Sequence, residues 1–146
     1  MKNVKAELIE MLNQALRLEH AARIQYLAHA EQISGINSEA IIARLRELAS
    51  DEAKHEEKFR TLIANYLDGT PCMEMAQTHP GENVNSILTI NLRDEKTAID
   101  FYKIIYKKVI ENKNEFPYEF ETLEHEIRHI ILDEQEHVTE LKNLID

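Results

Sequence analysis

Two Glu-x-x-His pairs, Glu52 with His55 and Glu134 with His137, are the residues of this chain best suited to chemistry. On a helix, a separation of three puts both side chains on one face about a turn apart, where a carboxylate and an imidazole can share a cation. Two more glutamates, Glu19 and Glu95, each stand seven residues before a tyrosine, Tyr26 and Tyr102. A Glu from each of two helices, with Glu-x-x-His from each of the other two, is a recurring way for helical bundles to hold two metal ions. Four carboxylates and two neutral imidazoles balance two divalent cations. Mixed oxygen and nitrogen donors suit iron, manganese or a mixed pair better than calcium, which takes oxygen, or structural zinc, which takes thiolate. The expected ligands are Glu19, Glu52, His55, Glu95, Glu134 and His137, and the expected cofactor is two iron ions.

Those residues can meet only if long helices bring them to one level, and four segments carry the helical period. The first, from about Asn3 to Ile33, aligns Leu8, Leu12, Ala15, Glu19, Ala22, Tyr26 and Ala30. After a short break, in which Gly35 suits a helix end and Asn37 or Ser38 the next N-cap, the second runs from about Glu39 to Leu67. It aligns Ile41, Leu45, Leu48, Glu52, His55, Phe59, Leu62 and Tyr66. So short a link makes these two helices antiparallel neighbours. The third, from about Asn83 to Asn112, aligns Leu88, Leu92, Glu95, Ile99, Tyr102, Tyr106 and Val109. Pro117 suits the first turn of the fourth, which aligns Leu123, Ile127, Ile130, Glu134, His137, Leu141 and Leu144. The stretch from Asp68 through Gly81 is long enough to cross the length of the bundle, which makes the second and third helices parallel. The predicted fold is therefore an all-α, single-domain antiparallel four-helix bundle with one long crossover between helices 2 and 3. Every inner stripe carries a Glu. An ionised carboxylate in an apolar interior is costly unless paired, and four at one level repel each other, so something positive belongs among them.

The chain has 146 residues, enough for one domain with a core of its own. A formal net charge of −10 argues against nucleic acid or an anionic membrane as partner. Cys72 is the only cysteine, which leaves no internal disulfide and no thiolate metal site. No apolar run is long enough to span a bilayer, and the start of the chain is charged rather than signal-like; the expected location is cytoplasmic.

Several residues have two readings. Tyr26 and Tyr102 are either packed core tyrosines with bonded hydroxyls or partners of a ligand carboxylate that can supply an electron during oxidation; Tyr26 is the candidate catalytic residue. Asp51 and Asp133 either orient ligand imidazoles or face solvent. Glu126 and His129 repeat the Glu-x-x-His pattern, but Glu126 lies roughly 80° around the helix from Glu134 and reads as part of a solvated pair. His20, His29, His125 and His129 fall off the inner lines and are expected at the surface, while His79 and Cys72 lie in the crossover without an evident partner.

The chain resembles the ferritin-like di-iron superfamily, and bacterioferritins in particular, over essentially all four helices. The resemblance rests on Asp51-Glu52-Ala53-Lys54-His55, on Gly69-Thr70-Pro71 with Gly81-Glu82-Asn83-Val84, and on Ile131-Leu132-Asp133-Glu134-Gln135-Glu136-His137. It implies a ferroxidase-type centre, with Glu52 and Glu134 bridging the metals, Glu19 and His55 completing one, and Glu95 and His137 the other. It also implies Fe(II) with O2 or H2O2 as reactants, Tyr26 beside the centre, and a homodimer through the first two helices. Ala53 stands where bacterioferritins carry a haem-binding Met, so no haem is expected. Nine residues follow His137, too few for a fifth helix, and the third-to-fourth link is longer, so storage in a large shell is not expected. Ala98 and the lone cysteine depart from rubrerythrins, although a rubrerythrin-like peroxidase, an oxidase or oxygenase on an organic substrate, and a non-catalytic iron-binding protein are the competing readings.

Overall fold

A computed structural model describes residues 3–145. Four helices, α1 (Val4–Gln32), α2 (Glu39–Thr61), α3 (Val84–Glu111) and α4 (Phe120–Leu144), make the bundle, with no strand among the described residues. The side chain of Asn3 accepts from the Ala6 amide to cap α1, and Asn83 and Ser86 cap α3 reciprocally. Gly35 takes the positive φ of 120° that a sharp exit from α1 demands. Ser38 stands at the start of α2 as expected, but its hydroxyl turns back to the Gly35 carbonyl instead of capping the helix. Pro117 lies in the turn before α4, where the Phe116 carbonyl already accepts from the Phe120 amide, so regular helix begins at Phe120 and not at the proline.

α1 packs chiefly on α2 and α3 on α4, with lighter contacts between α1 and α3 and between α2 and α4. The crossover leaves α2 beside the start of α1, where Lys5 meets Asp68. It reaches α3 beside the end of α1, where Gln32 donates to the Gly81 carbonyl. It thus travels the length of α1, and α2 and α3 run parallel. Glycine is required at 81 because a Cβ there would collide with the Ile87 side chain.

One inner stripe departs from expectation. α2 ends in a π-helical turn, Leu62–Tyr66, in which the Leu67 amide donates to Leu62. The extra residue rotates the stripe, so Tyr66 is 37% exposed and Leu67, at 1%, takes the inner place. The core falls into two apolar clusters. One holds Leu8, Leu12, Phe59 and Leu123; the other holds Ala30, Leu45, Leu88 and Leu141. The polar residues singled out above lie between them.

Candidate metal centre

The four helices bring Glu19, Glu52, His55, Glu95, Glu134 and His137 to one level, and none is more than 3% exposed. His55 Nδ1 lies 3.1 Å from Glu134 Oε1, 3.4 Å from Glu19 Oε1 and 3.7 Å from Glu52 Oε1. His137 Nδ1 mirrors it, 3.1 Å from Glu52 Oε1, 3.3 Å from Glu134 Oε1 and 3.5 Å from Glu95 Oε1. Two four-residue groups result, each with donor atoms within 4.8 Å of one another: Glu19, Glu52, His55 and Glu134, and Glu52, Glu95, Glu134 and His137. They share Glu52 and Glu134.

These close approaches are electrostatic, since the nitrogens and oxygens are not aligned as hydrogen bonds. Among the described residues, the buried side-chain nitrogens and oxygens left without a hydrogen-bond partner are Glu19 Oε2, Glu52 Oε1, His55 Nδ1, Glu95 Oε2, Glu134 Oε1 and His137 Nδ1. There is one on each of the six residues. Buried polar atoms are nearly always satisfied, and a converging set of hard oxygens and imidazole nitrogens is what a pair of divalent cations would satisfy.

The surroundings orient these donors. His55 Nε2 donates to Asp133 and His137 Nε2 to Asp51, each at 3.0 Å. Each aspartate therefore comes from the helix opposite its histidine, fixes the tautomer and turns Nδ1 inward. Asp51 and Asp133 are also partly solvated, so both sequence readings hold at once. Tyr26 donates to Glu95 at 2.7 Å and Tyr102 to Glu19 at 2.9 Å. Each tyrosine thus serves the glutamate of the other half of the bundle, not the one seven residues before it.

With only the protein's own charges present, burial and then the neighbouring carboxylates push Glu52 and Glu95 well above the usual carboxylate range. Burial also works to raise Glu134, but His137 and His55 outweigh it and hold Glu134 well below that range. Burial opposes charge on the histidines, yet the surrounding carboxylates push His55 up to about 12 and His137 to about 11. Burial, reinforced by the same carboxylates, keeps both phenols protonated as donors.

Three histidine assignments need revision or completion. His29 is buried, not at the surface: Nε2 donates to the His79 carbonyl and Nδ1 accepts from Asn91. His20 is partly covered, with Nδ1 2.6 Å from the Glu74 carbonyl. His79 pairs with Asp94 at 3.0 Å. His125 and His129 are exposed as expected, their rings tilted against each other with centroids 4.2 Å apart, but Glu126 is held by Lys58 of α2. Cys72 has a partner too, its amide and thiol both bonding to Asn13. What the sequence reading missed is that the crossover is tied along the outer face of α1 by Asn13, Arg17, His20, Gln25, His29 and Gln32. Their spacing of three to five residues places them along one side of α1, but a polar spacing does not say that a loop covers it.

The profile of the ferritin-like domain matches residues 9–146. The chain belongs to the ferritin-like family. Among solved structures, this ferritin-like chain is similar over its whole length to a ferritin-like, diiron-carboxylate protein from Bacillus anthracis, with 28% identity, complete coverage of both chains and a TM-score of 0.90. A bacterioferritin from Rhodobacter capsulatus, described with a metal-free dinuclear site and haem iron, is 26% identical at a TM-score of 0.83, covering 99% of this chain and 86% of that one. The bacterial ferritin of Pseudomonas aeruginosa is 32% identical over 90 residues, 62% of this chain. The match spans 58% of that relative's length. Bacterial ferritin of Neisseria meningitidis serogroup B is 33% identical over 95 residues, 65% of this chain and 61% of its own. Ferritin-like membership, a di-iron-type bundle and a carboxylate–histidine site able to hold metal follow from these findings.

Proposed function

We propose that the chain binds two iron ions between Glu19, Glu52, His55, Glu95, Glu134 and His137 and oxidises Fe(II) with O2 or H2O2. The observation that carries this reading is the set of six unpartnered buried atoms, one per residue. Glu52 and Glu134 would be shared by the two ions, Glu19 and His55 would complete one set, and Glu95 and His137 the other. Two ferrous ions held side by side supply two electrons together; with H2O2 and two protons, the products are two ferric ions and two waters.

The protein's part is positional. Asp133 and Asp51 keep the imidazole Nε2 protons outward, so that each Nδ1 faces inward, where a metal ion would take the place of its proton. Tyr26 and Tyr102 steady the two unshared carboxylates, and either phenol is close enough to give up an electron; Tyr26 is the proposed redox-active residue. The same donors would accept manganese or a mixed pair. Ile24 and Leu27 on the outer face of α1 are exposed and belong to the proposed homodimer surface.

The test is anaerobic loading with two Fe(II) per chain, followed by air or peroxide, with near-ultraviolet absorbance of the ferric product recorded. A rapid rise is expected, as is repeated turnover on adding more Fe(II) and peroxide. Iron that stays bound without any absorbance change would make the protein an iron holder instead.

A further inference from the structure

The centre is closed above and below by the two apolar clusters, and between α2 and α4 by Asp51 and Asp133, hydrogen-bonded to the histidines. Between α1 and α3 it is not closed by the helices. Ala22 and Ala98 are too small to fill the gap, and a cavity of about 100 Å³ runs from Glu52, Glu95 and Glu134 outward to Asp94 and the crossover residue His79. Liquid water occupies about 30 Å³ per molecule, so the space suits a partly dehydrated cation or a small oxidant.

The mouth is built from side chains of three elements. The backbone of His79 is clamped to α1: its amide donates to Gln25 at 2.6 Å and its carbonyl accepts from His29 at 3.0 Å. Its ring reaches across to α3, where Nδ1 donates to Asp94 Oδ2 at 3.0 Å. Gln25 donates to the same oxygen at 2.9 Å. Asp94 keeps a quarter or so of its side chain in solvent, and its other oxygen faces the exposed Arg93 guanidinium at 3.3 Å, a surface pairing that contributes little. Glu95, the next residue, lies at the inner end of the same cavity. One carboxylate therefore stands at the outer end and another at the inner end, and the His79 imidazole, tied to Asp94, lines the opening at its outer end.

We propose that this opening is the route by which the cation reaches the centre, with Asp94 as the carboxylate that first receives it and His79 as a displaceable cover. The proposal rests on the metal-centre reading above. The two residues then have opposite effects. Asp94→Asn keeps the acceptor for His79 but loses the negative charge, which slows entry. His79→Ala keeps the backbone clamps but removes the ring, which speeds it.

The experiment is stopped-flow uptake of Co(II) by the full chain purified without metal, read from the visible absorption of bound cobalt. Asp94→Asn is expected to slow uptake on the order of three- to tenfold at low ionic strength, with the difference shrinking as salt screens the charge. His79→Ala is expected to accelerate it. Both should finish at the wild-type amount of bound Co(II) with the wild-type spectrum, and Glu126→Gln, on the α2–α4 face, should match wild type throughout. Variants that load at the wild-type rate, or that shift in the same direction, overturn the route while leaving the centre intact. Wild-type protein that takes up Co(II) yet fails to oxidise Fe(II) defeats the oxidation reading and leaves the route standing; failure to take up Co(II) at all defeats both.

Discussion

The α1–α2 half of the bundle and the α3–α4 half are nearly the same around the centre and different outside it. Glu19, Tyr26, Asp51, Glu52 and His55 in one half correspond to Glu95, Tyr102, Asp133, Glu134 and His137 in the other. Their partners cross between halves in matched pairs. Beyond that ring the match ends. Arg23, Glu56 and His29 in the first half stand where the second has Ile99, Val138 and Ile105. Glu56 is buried against Arg23 at 2.5 Å, with His20 and Arg60 within 3.8 Å, while His29 holds the crossover. The two cations of the proposed function, sharing two carboxylates, would impose a two-fold demand on the residues that touch them. A chain that crosses the bundle once, along α1 only, imposes the asymmetry on everything else.

The most damaging way to test that equivalence is to remove ligands from each half. Glu52→Ala and Glu134→Ala delete a carboxylate common to both groups and should leave no tight pair of ions. Glu19→Ala and Glu95→Ala should each leave one. Titration with Co(II) counts the ions, and each lost site removes about 2.7 kcal/mol of ligand stabilisation at a metal concentration a hundredfold above Kd. A marked difference between Glu19→Ala and Glu95→Ala would break the two-fold picture. Next in size, Asp51→Asn and Asp133→Asn should each weaken metal binding by about 10–100-fold and to the same degree, because each holds one imidazole in the same way.

Much of this was legible in the residues. The helix periods placed the stripes, and a glutamate on each inner line, with two histidines three residues further on, marked one level of the bundle. Three things were not. The π-turn at Leu62–Tyr66 shifts the stripe by one residue, and nothing local in Leu62-Ile63-Ala64-Asn65-Tyr66 announces it. The crossing of Tyr26 to Glu95 and Asp51 to His137 depends on how the helices are rotated against each other, which a pattern within one helix does not encode. Burial of His29 depends on an irregular segment lying over α1, and irregular segments carry no period. Spacing revealed which residues share a face, but not which face a loop would later cover.

Acidity offers a finer test, because the two histidines are shifted alike. In metal-free protein, His55 and His137 are raised from 6.5 to about 12 and about 11. The stability they contribute is complete below pH 6.5 and is lost as pH rises through those values. Glu52 and Glu95, also raised, lose their contribution in the same direction from pH 4.5 upward. Glu134, held low, contributes above 4.5 and loses it only on acidification. Metal-free protein should therefore weaken with rising pH. Cations displace protons from the same imidazoles and bind more tightly as pH rises. The Tm difference between Co(II)-loaded and metal-free protein should widen by several degrees from about pH 6 to about pH 8. Calorimetry that shows it narrowing would mean that the imidazoles do not exchange protons for metal.

The smallest effect concerns the part of the α1–α2 half that has no counterpart. Glu56→Val copies Val138 and removes a buried carboxylate, leaving Arg23, whose side chain is 34% exposed, free to be solvated. Exchanging a largely buried charge for a well-packed apolar group is often neutral or favourable, so stability should stay within about 1 kcal/mol of wild type. Arg23→Leu, which copies Ile99 in character, does the reverse. It strands Glu56 with Arg60, at 3.8 Å, as its nearest remaining cation and the His20 ring at 3.5 Å, and should cost more than Glu56→Val does. Combining the two should recover most of that cost, since the stranded carboxylate is then absent. Denaturant unfolding of the single and double variants checks this, with Co(II) stoichiometry unchanged in all three. Equal losses in both single variants would show that the charged cluster is required as a unit, and that the asymmetry between the halves is structural as well as a consequence of where the crossover lies.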